Sequence, residues 1–275
     1  DIDRTTLRFN VSDWLWGGNI SLINKLNNSN SIYFTLSRGY LTGGINQHPK
    51  LVATNRPYEP EHMLNIEIGH KWLTSEFSIQ TSLFHSLRSD QQVSLSTQQD
   101  PQDPNSFFFY RANAAKGRNR GIEVESNYSF SRGIRAHLSF ALLDSYINSF
   151  EYLGPNGVEL SGDRESAHAP KYRTHFGIEW SSSIGLFAKV AGTRTSDFYF
   201  SESHNESSDT YSLVDGGFGY VIEGYRFEGW IRNVFDERYA TRGFFFSLEP
   251  PDYQEKLYKS YGDPRQIGLR ITKDW

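Results

Sequence analysis

Apolar and polar residues alternate with period two from one end of this chain to the other, while helical periodicity is almost missing. Ile267, Leu269, Ile271 and Trp275 share one face of the last strand-like stretch, and Gln266, Gly268, Arg270 and Thr272 share the other. Tyr225, Phe227, Gly229 and Ile231 oppose Arg226, Glu228 and Arg232 in the same way. Ile134, Ala136, Leu138, Phe140 and Leu142 oppose Arg135, His137 and Ser139, and Tyr172 to Trp180 repeats the pattern against Lys171, Arg173, His175 and Glu179. The alternation predicts about twelve strands, near 4–12, 17–26, 31–43, 63–72, 76–97, 106–128, 133–147, 171–181, 184–198, 210–222, 225–235 and 263–275.

A soluble sandwich alternates too, with its charged face in water, so three further features decide the class. The connections alternate short (near 27–30, 73–76, 129–133, 181–184 and 222–225) and mostly long (near 44–61, 98–105, 148–170, 199–209 and 236–262). An outer-membrane barrel has short turns at one end and long loops at the other. Trp72, Trp180 and Trp275 sit in the apolar register at the short-turn ends of three strands, where an interfacial girdle belongs. The stretches 76–97 and 106–128 exceed the five or six residues usual in globular sheets, whereas a tilted membrane span needs about 9–11. The expected fold is all-β: an antiparallel up-and-down transmembrane β-barrel, occupying 1–275 as one unit.

Composition fits this reading. Only 37% of residues are hydrophobic, as expected when alternate residues alone face lipid, and aromatics reach 15%. No apolar run is long enough for a transmembrane helix. A net charge of -4 gives no reason to expect nucleic acid, and the absence of cysteine excludes disulfide scaffolds and thiolate metal sites. The eight histidines are dispersed without ligand spacing, so no metal site is expected. His48, His62, His168 and His204 fall in or beside the long loops, where contact with a haem or metal chelate is conceivable. No Gly-x-Ser-x-Gly and no phosphate-cradling glycine loop occurs, so neither an enzyme nor a bound cofactor is expected.

Several segments in series resemble the carboxy-terminal signature of TonB-dependent outer-membrane receptors. They are Ser37-Arg38-Gly39-Tyr40 with Gly43-Gly44-Ile45-Asn46, Glu59-Pro60-Glu61 leading into Asn65 to Lys71, Asn119 to Glu125, and Ala169-Pro170-Lys171. The most specific are Asn233-Val234-Phe235-Asp236-Glu237-Arg238-Tyr239 and Asp263-Pro264-Arg265-Gln266-Ile267-Gly268-Leu269-Arg270, followed by a terminal aromatic. Asn233 and Asp236 suit local Asx hydrogen bonds, and Pro264 suits a strand start.

The resemblance implies a bacterial outer-membrane protein that imports a scarce, large ligand such as an iron–siderophore complex. It implies outer-membrane lipid, the TonB energy-transducing system and the barrel-assembly machinery as partners, Trp275 serving as the assembly signal. A whole receptor also carries a plug domain and about twice the strands, so the chain is expected to be the C-terminal part of the barrel. The alternative is an autonomous small barrel acting as a pore or surface enzyme; a soluble β-rich binding module is a third reading.

Inward charges are expected at Arg8, Glu67, Lys71, Glu123, Glu125, Arg135, Arg173, Glu179, Lys189, Asp215, Arg226, Glu228, Arg232 and Arg270. Ligand contacts are expected among the basic and aromatic residues of the outer loops and strand tops: Arg56, Tyr58, Tyr110, Arg111, Arg118, Arg120, Arg242, Phe244, Phe246 and Tyr253. Guanidinium groups offer charge-assisted contacts to an anionic chelate, and aromatic rings offer stacking surface.

Overall fold

The computed structural model describes residues 8–10, 12–48, 51, 56–98, 103, 107–154, 157–246, 249–251, 253–254 and 256–273. Eleven strands form one antiparallel sheet: β1 (Gly18–Lys25), β2 (Asn30–Leu41), β5 (Glu61–Leu73), β6 (Phe77–Gln98), β7 (Phe107–Phe130), β8 (Ile134–Ile147), β11 (Tyr172–Ser181), β12 (Leu186–Thr195), β13 (Tyr211–Ile222), β14 (Tyr225–Arg232) and β17 (Gln266–Lys273). Each pairs with the next in that order, the up-and-down arrangement that the alternation predicts. β1 and β17 are the two edges. The strand expected at 4–12 falls largely outside the described residues, and 8–10 and 12 lie in no strand.

The short turns are built from local hydrogen bonds. Asn27 Oδ1 accepts the amides of Ser29 and Asn30 at 2.9 Å each between β1 and β2. Thr74 Oγ1 accepts from Phe77 N at 3.0 Å between β5 and β6. Glu223 and Gly224 join β13 to β14 with φ of 48° and 77°, the paired positive values that a two-residue type I′ hairpin requires.

At the opposite end three of the long connections carry small hairpins: β3 (Gly44–Ile45) with β4 (Pro57–Tyr58), β9 (Phe150–Gly154) with β10 (Gly157–Ser161), and β15 (Ala240–Phe246) with β16 (Lys256–Tyr261). With the extended tops of β6 and β7 they make a canopy over that end. Its centre is a buried cluster of Leu51, Val93, Leu95, Tyr110, Ala114, Ile147 and Phe150. Most of the buried apolar residues therefore lie among the loops, because a single-layer sheet has nothing of its own to pack against.

Cross-strand register sorts the sheet into two faces. Phe34, Ile68, Leu83, Ile122 and Leu142 align from β2 to β8, and Ile178, Val190, Gly216, Ile231 and Ile267 align from β11 to β17. These apolar side chains are largely open, with Ile68 54% and Leu269 89% exposed, as a lipid-facing surface requires. The opposite register carries the expected charges from Glu67 to Arg270; Arg8 lies in no strand.

Salt bridges join Lys189 to Glu228 and Arg135 to Glu179 on that polar face. Tyr33 Oη donates to Glu67 Oε1 at 2.6 Å there. The His137 ring lies over Gly177 so closely that a Cβ would meet it at 2.0 Å, so this wall is shaped as well as charged.

Candidate ligand site in the outer-loop canopy

The canopy is held by two buried ionic anchors. At the top of β5 the Glu61 carboxylate is buried and accepts from Arg88 Nε at 2.7 Å and from Gln92 N at 2.8 Å. Between β10 and β11, Arg164 is 9% exposed. It lies 4.1 Å from the Tyr199 ring centroid, and its Nη2 donates to the carbonyls of Ser201, Glu202 and His204 at 2.9–3.1 Å. It thereby ties the β8–β11 connection to the β12–β13 connection.

A cavity of about 430 Å³ opens where these loops meet β15, with Arg88, His168, Phe200, Glu202, Arg242 and the run Phe244 to Phe246 in its lining. The Arg242 guanidinium sits 4.9 Å from the Phe244 ring centroid, and Lys259 Nζ lies 5.8 Å from that of Phe200. Burial, reinforced by the charge of Arg242, pushes the His168 imidazole below its ordinary value, so it favours the neutral form.

Burial pushes the Glu202 carboxyl up, partly offset by the amide of Ala167, which donates to its Oε1 at 2.9 Å, and by Arg164. Glu202 Oε2 is buried without a hydrogen-bond partner. The arrangement offers positive charge, stacking surface and an unfilled polar valence within one recess. It suits an anionic, ring-bearing ligand better than a free ion. Among the described residues no group of three or more metal-ligating side chains occurs.

The structure divides the residues expected to contact ligand. Arg242, Phe244 and Phe246 line this cavity. Arg56, Tyr58 and Arg111 form a separate group on the β3–β4 side: Arg56 Nε donates to Leu51 O at 2.9 Å, and the Arg111 guanidinium lies 5.9 Å from the Tyr58 ring centroid. Tyr253 sits in the loop before β16, its amide donating to Glu249 O at 3.1 Å. Tyr110 is only 6% exposed and belongs to the buried cluster at the centre of the canopy, not to the cavity lining. Arg118 and Arg120 share the register of Ile122 and Val124, which turns them to the outer face of the sheet, away from the cavity.

Arg88, Phe200 and Glu202 were not anticipated as site residues; only their position at strand tops and in a long loop could have suggested them. Of the three tryptophans, Trp72 and Trp180 occupy the outer face at the short-turn end, and Trp275 lies outside the described residues. A second recess of about 260 Å³ on the polar wall is lined by Glu179, Lys189, Asp215, Glu228, Arg232 and Arg270, charges of both signs.

The family profile described as TonB dependent receptor-like, beta-barrel matches residues 1–234. The pesticin receptor of Yersinia pestis is 22% identical over 217 residues, covering 78% of this chain and 30% of the relative. The chain thus spans about a third of the length of the curated relatives it matches. The ferric yersiniabactin uptake receptor FyuA from Yersinia pestis superposes with a TM-score of 0.75 at 20% identity, covering 94% of this chain and 37% of that one. The siderophore receptor PiuA from Acinetobacter baumannii gives 0.70 at 17% identity, covering 92% and 35%. At these identities the structural likeness speaks for the fold.

Proposed function

This chain belongs to the TonB-dependent receptor β-barrel family, and from that premise we propose that it is the C-terminal part of the barrel of an importer for a large, scarce chelate such as an iron–siderophore complex. Membership places the sheet in the bacterial outer membrane, with its apolar face in lipid. The observation that carries the proposal is the canopy cavity, which puts Arg242 and Arg88 beside Phe200, Phe244 and Phe246 at the long-loop end.

In this reading Trp72, Trp180 and Trp275 form the girdle at the periplasmic rim, and Trp275 also presents the last strand to the barrel-assembly machinery. TonB would act through segments outside this chain, and the charged recess on the inner wall would face a plug. The reading gives the chain no catalytic step.

The test is binding of ferric phenolate, catecholate and hydroxamate siderophores to the whole protein in detergent, with growth of a receptor-deficient strain on each as sole iron source. Arg242→Gln combined with Phe244→Ala should weaken binding of the accepted chelate by about tenfold or more, the scale of losing one charged contact and one stacking ring. Failure of every chelate to bind, or full binding by the double variant, would overturn the assignment.

A further inference from the structure

Halfway down the inner wall, the recess of about 260 Å³ combines a bare floor, a flat ring and two guanidiniums. Gly177 and Ala191 face each other across β11 and β12 and leave the floor without bulk. On β14 the Trp230 ring lies across Gly268 of β17, where a Cβ would meet its Cζ2 at 2.3 Å. The half-buried indole is therefore flat against the wall, with its other face toward the recess. Arg232, two residues above it on the same face, holds its guanidinium 5.2 Å from that ring centroid. Arg270 stands opposite Glu228, two residues below.

The acids of the recess already have partners. Glu228 is buried against Lys189, with Arg226 Nε at 3.6 Å, and Glu179 pairs with Arg135 at 3.1 Å. Asp215 Oδ1 accepts from Asn233 N at 2.9 Å. Among the described residues Arg232 and Arg270 form no salt bridge. With Arg135 and Arg226 included, five basic side chains meet three acidic ones here. Cations without counter-charge beside an open aromatic face are the complement of a ring that carries negative charge. Such a ring stacks on the indole while its anionic oxygens take charge-assisted bonds from the arginines.

Size and depth narrow the ligand. A pocket that encloses a whole drug-sized molecule measures about 300–1,000 Å³, so this recess takes one ring, an arm of a larger chelate. Trp230 lies five residues from Tyr225 at the short-turn end of β14. At about 3.3 Å per residue and a tilt near 45°, that is roughly 12 Å, midway up an apolar band about 25 Å tall. Between recess and canopy, Arg173 faces inward on β11, four residues above Gly177. We propose that the recess is a binding site for one anionic aryl group, a ring of the phenolate or benzoate type, on the inner wall below the canopy. The site deepens the importer reading and rests on it for how such a ring arrives from outside.

Two salicylates test this on the whole protein. Iodosalicylate soaked into crystals is located by the anomalous scattering of its iodine, and is expected over Trp230 with its carboxylate toward Arg232 or Arg270. Fluorosalicylate gives the affinity in detergent by fluorine NMR, in an Arg242→Gln, Phe244→Ala background so that the canopy does not contribute. Arg232→Gln with Arg270→Gln should weaken binding about tenfold, and Trp230→Leu about fivefold. Iodobenzamide, which keeps the ring but not the charge, should leave the recess empty. Heat-modifiable gel mobility checks that every variant is folded. No iodine in the recess, a plug side chain in its place, or affinity unchanged when both arginines are replaced overturns the site. Iodine in the canopy cavity alone also overturns it, and leaves the importer reading standing. Iodine in the recess of a protein whose canopy binds no chelate upholds the site and sinks that reading.

Discussion

The membrane sheet and the canopy use the same residue types to opposite ends. In the sheet, Ile68, Leu83 and Leu269 stay exposed on one face while Glu67, Lys189 and Glu228 line the other. In the canopy, Leu95 and Ile147 are fully buried and the charges of Arg164 and Glu61 are buried with them, each with hydrogen-bond partners. The solvent explains the contrast. Lipid supplies apolar contact to the sheet from outside, whereas loops in water must make their own core. A truncation that is cheap against lipid should therefore be costly in the canopy.

The largest effect is expected in the canopy core. Leu95→Ala should destabilise the canopy by about 2–5 kcal/mol, while Ile68→Ala on the lipid face should cost clearly less, because lipid chains fill the vacated volume. Pulse proteolysis of the long loops and thermal unfolding of the barrel report the two separately. Similar losses at both positions would break the comparison.

Reversing the polarity of a face is the next test. Ile68→Arg should cost about 2–4 kcal/mol near the membrane mid-plane, whereas Gln80→Arg on the inner face should be nearly neutral. Refolding into vesicles under denaturant measures both, and equal costs would mean that the two faces have been assigned wrongly.

Arg164→Met leaves three carbonyls without their shared donor and should loosen the canopy by about 1–3 kcal/mol, with no change in barrel unfolding. The readout is protease cutting within the β8–β11 and β12–β13 connections.

The smallest effect is pH dependence. His168 is held below its ordinary 6.5, so its contribution to canopy stability is present above that value and fades as pH falls toward the lowered one. Glu202 is held above 4.5, so its cost sets in as pH rises from there through the raised value. His168→Gln should therefore remove the loss of loop protection on acidification below 6.5, and Glu202→Gln the loss as pH rises above 4.5.

The sheet was readable in the sequence because each strand alternates strictly and each short turn has its own hydrogen-bonding chemistry. Eleven of the expected strands, 17–26 to 263–275, match observed strands within a few residues. Asn233 shows how local the signal is: its Oδ1 accepts from Glu237 N at 2.8 Å, and its Nδ2 donates to Asp263 O at 3.1 Å across the final loop.

The canopy was less readable because its contacts join residues far apart in the chain, as Arg164 with His204 and Asn46 with Arg111 do. Its hairpins are short and lack the long alternation of the spans. Arg118 and Arg120 are a different case. Their parity with Ile122 was visible in the sequence, but their charge suggested ligand contact, and only the continuous β6–β7 ladder turns them outward.

The proposed orientation puts a surface-exposed canopy at one end of this sheet and periplasmic turns at the other. The chain has no cysteine, so single cysteines can be placed without background. Glu206→Cys in the β12–β13 connection and Ser183→Cys in the β11–β12 turn, each in the whole protein on intact cells, should differ completely toward a membrane-impermeant maleimide. Labelling of Glu206→Cys alone, with Ser183→Cys reacting only after the outer membrane is permeabilised, is the predicted result. Labelling of Ser183→Cys on intact cells, or protection of Glu206→Cys, would contradict it.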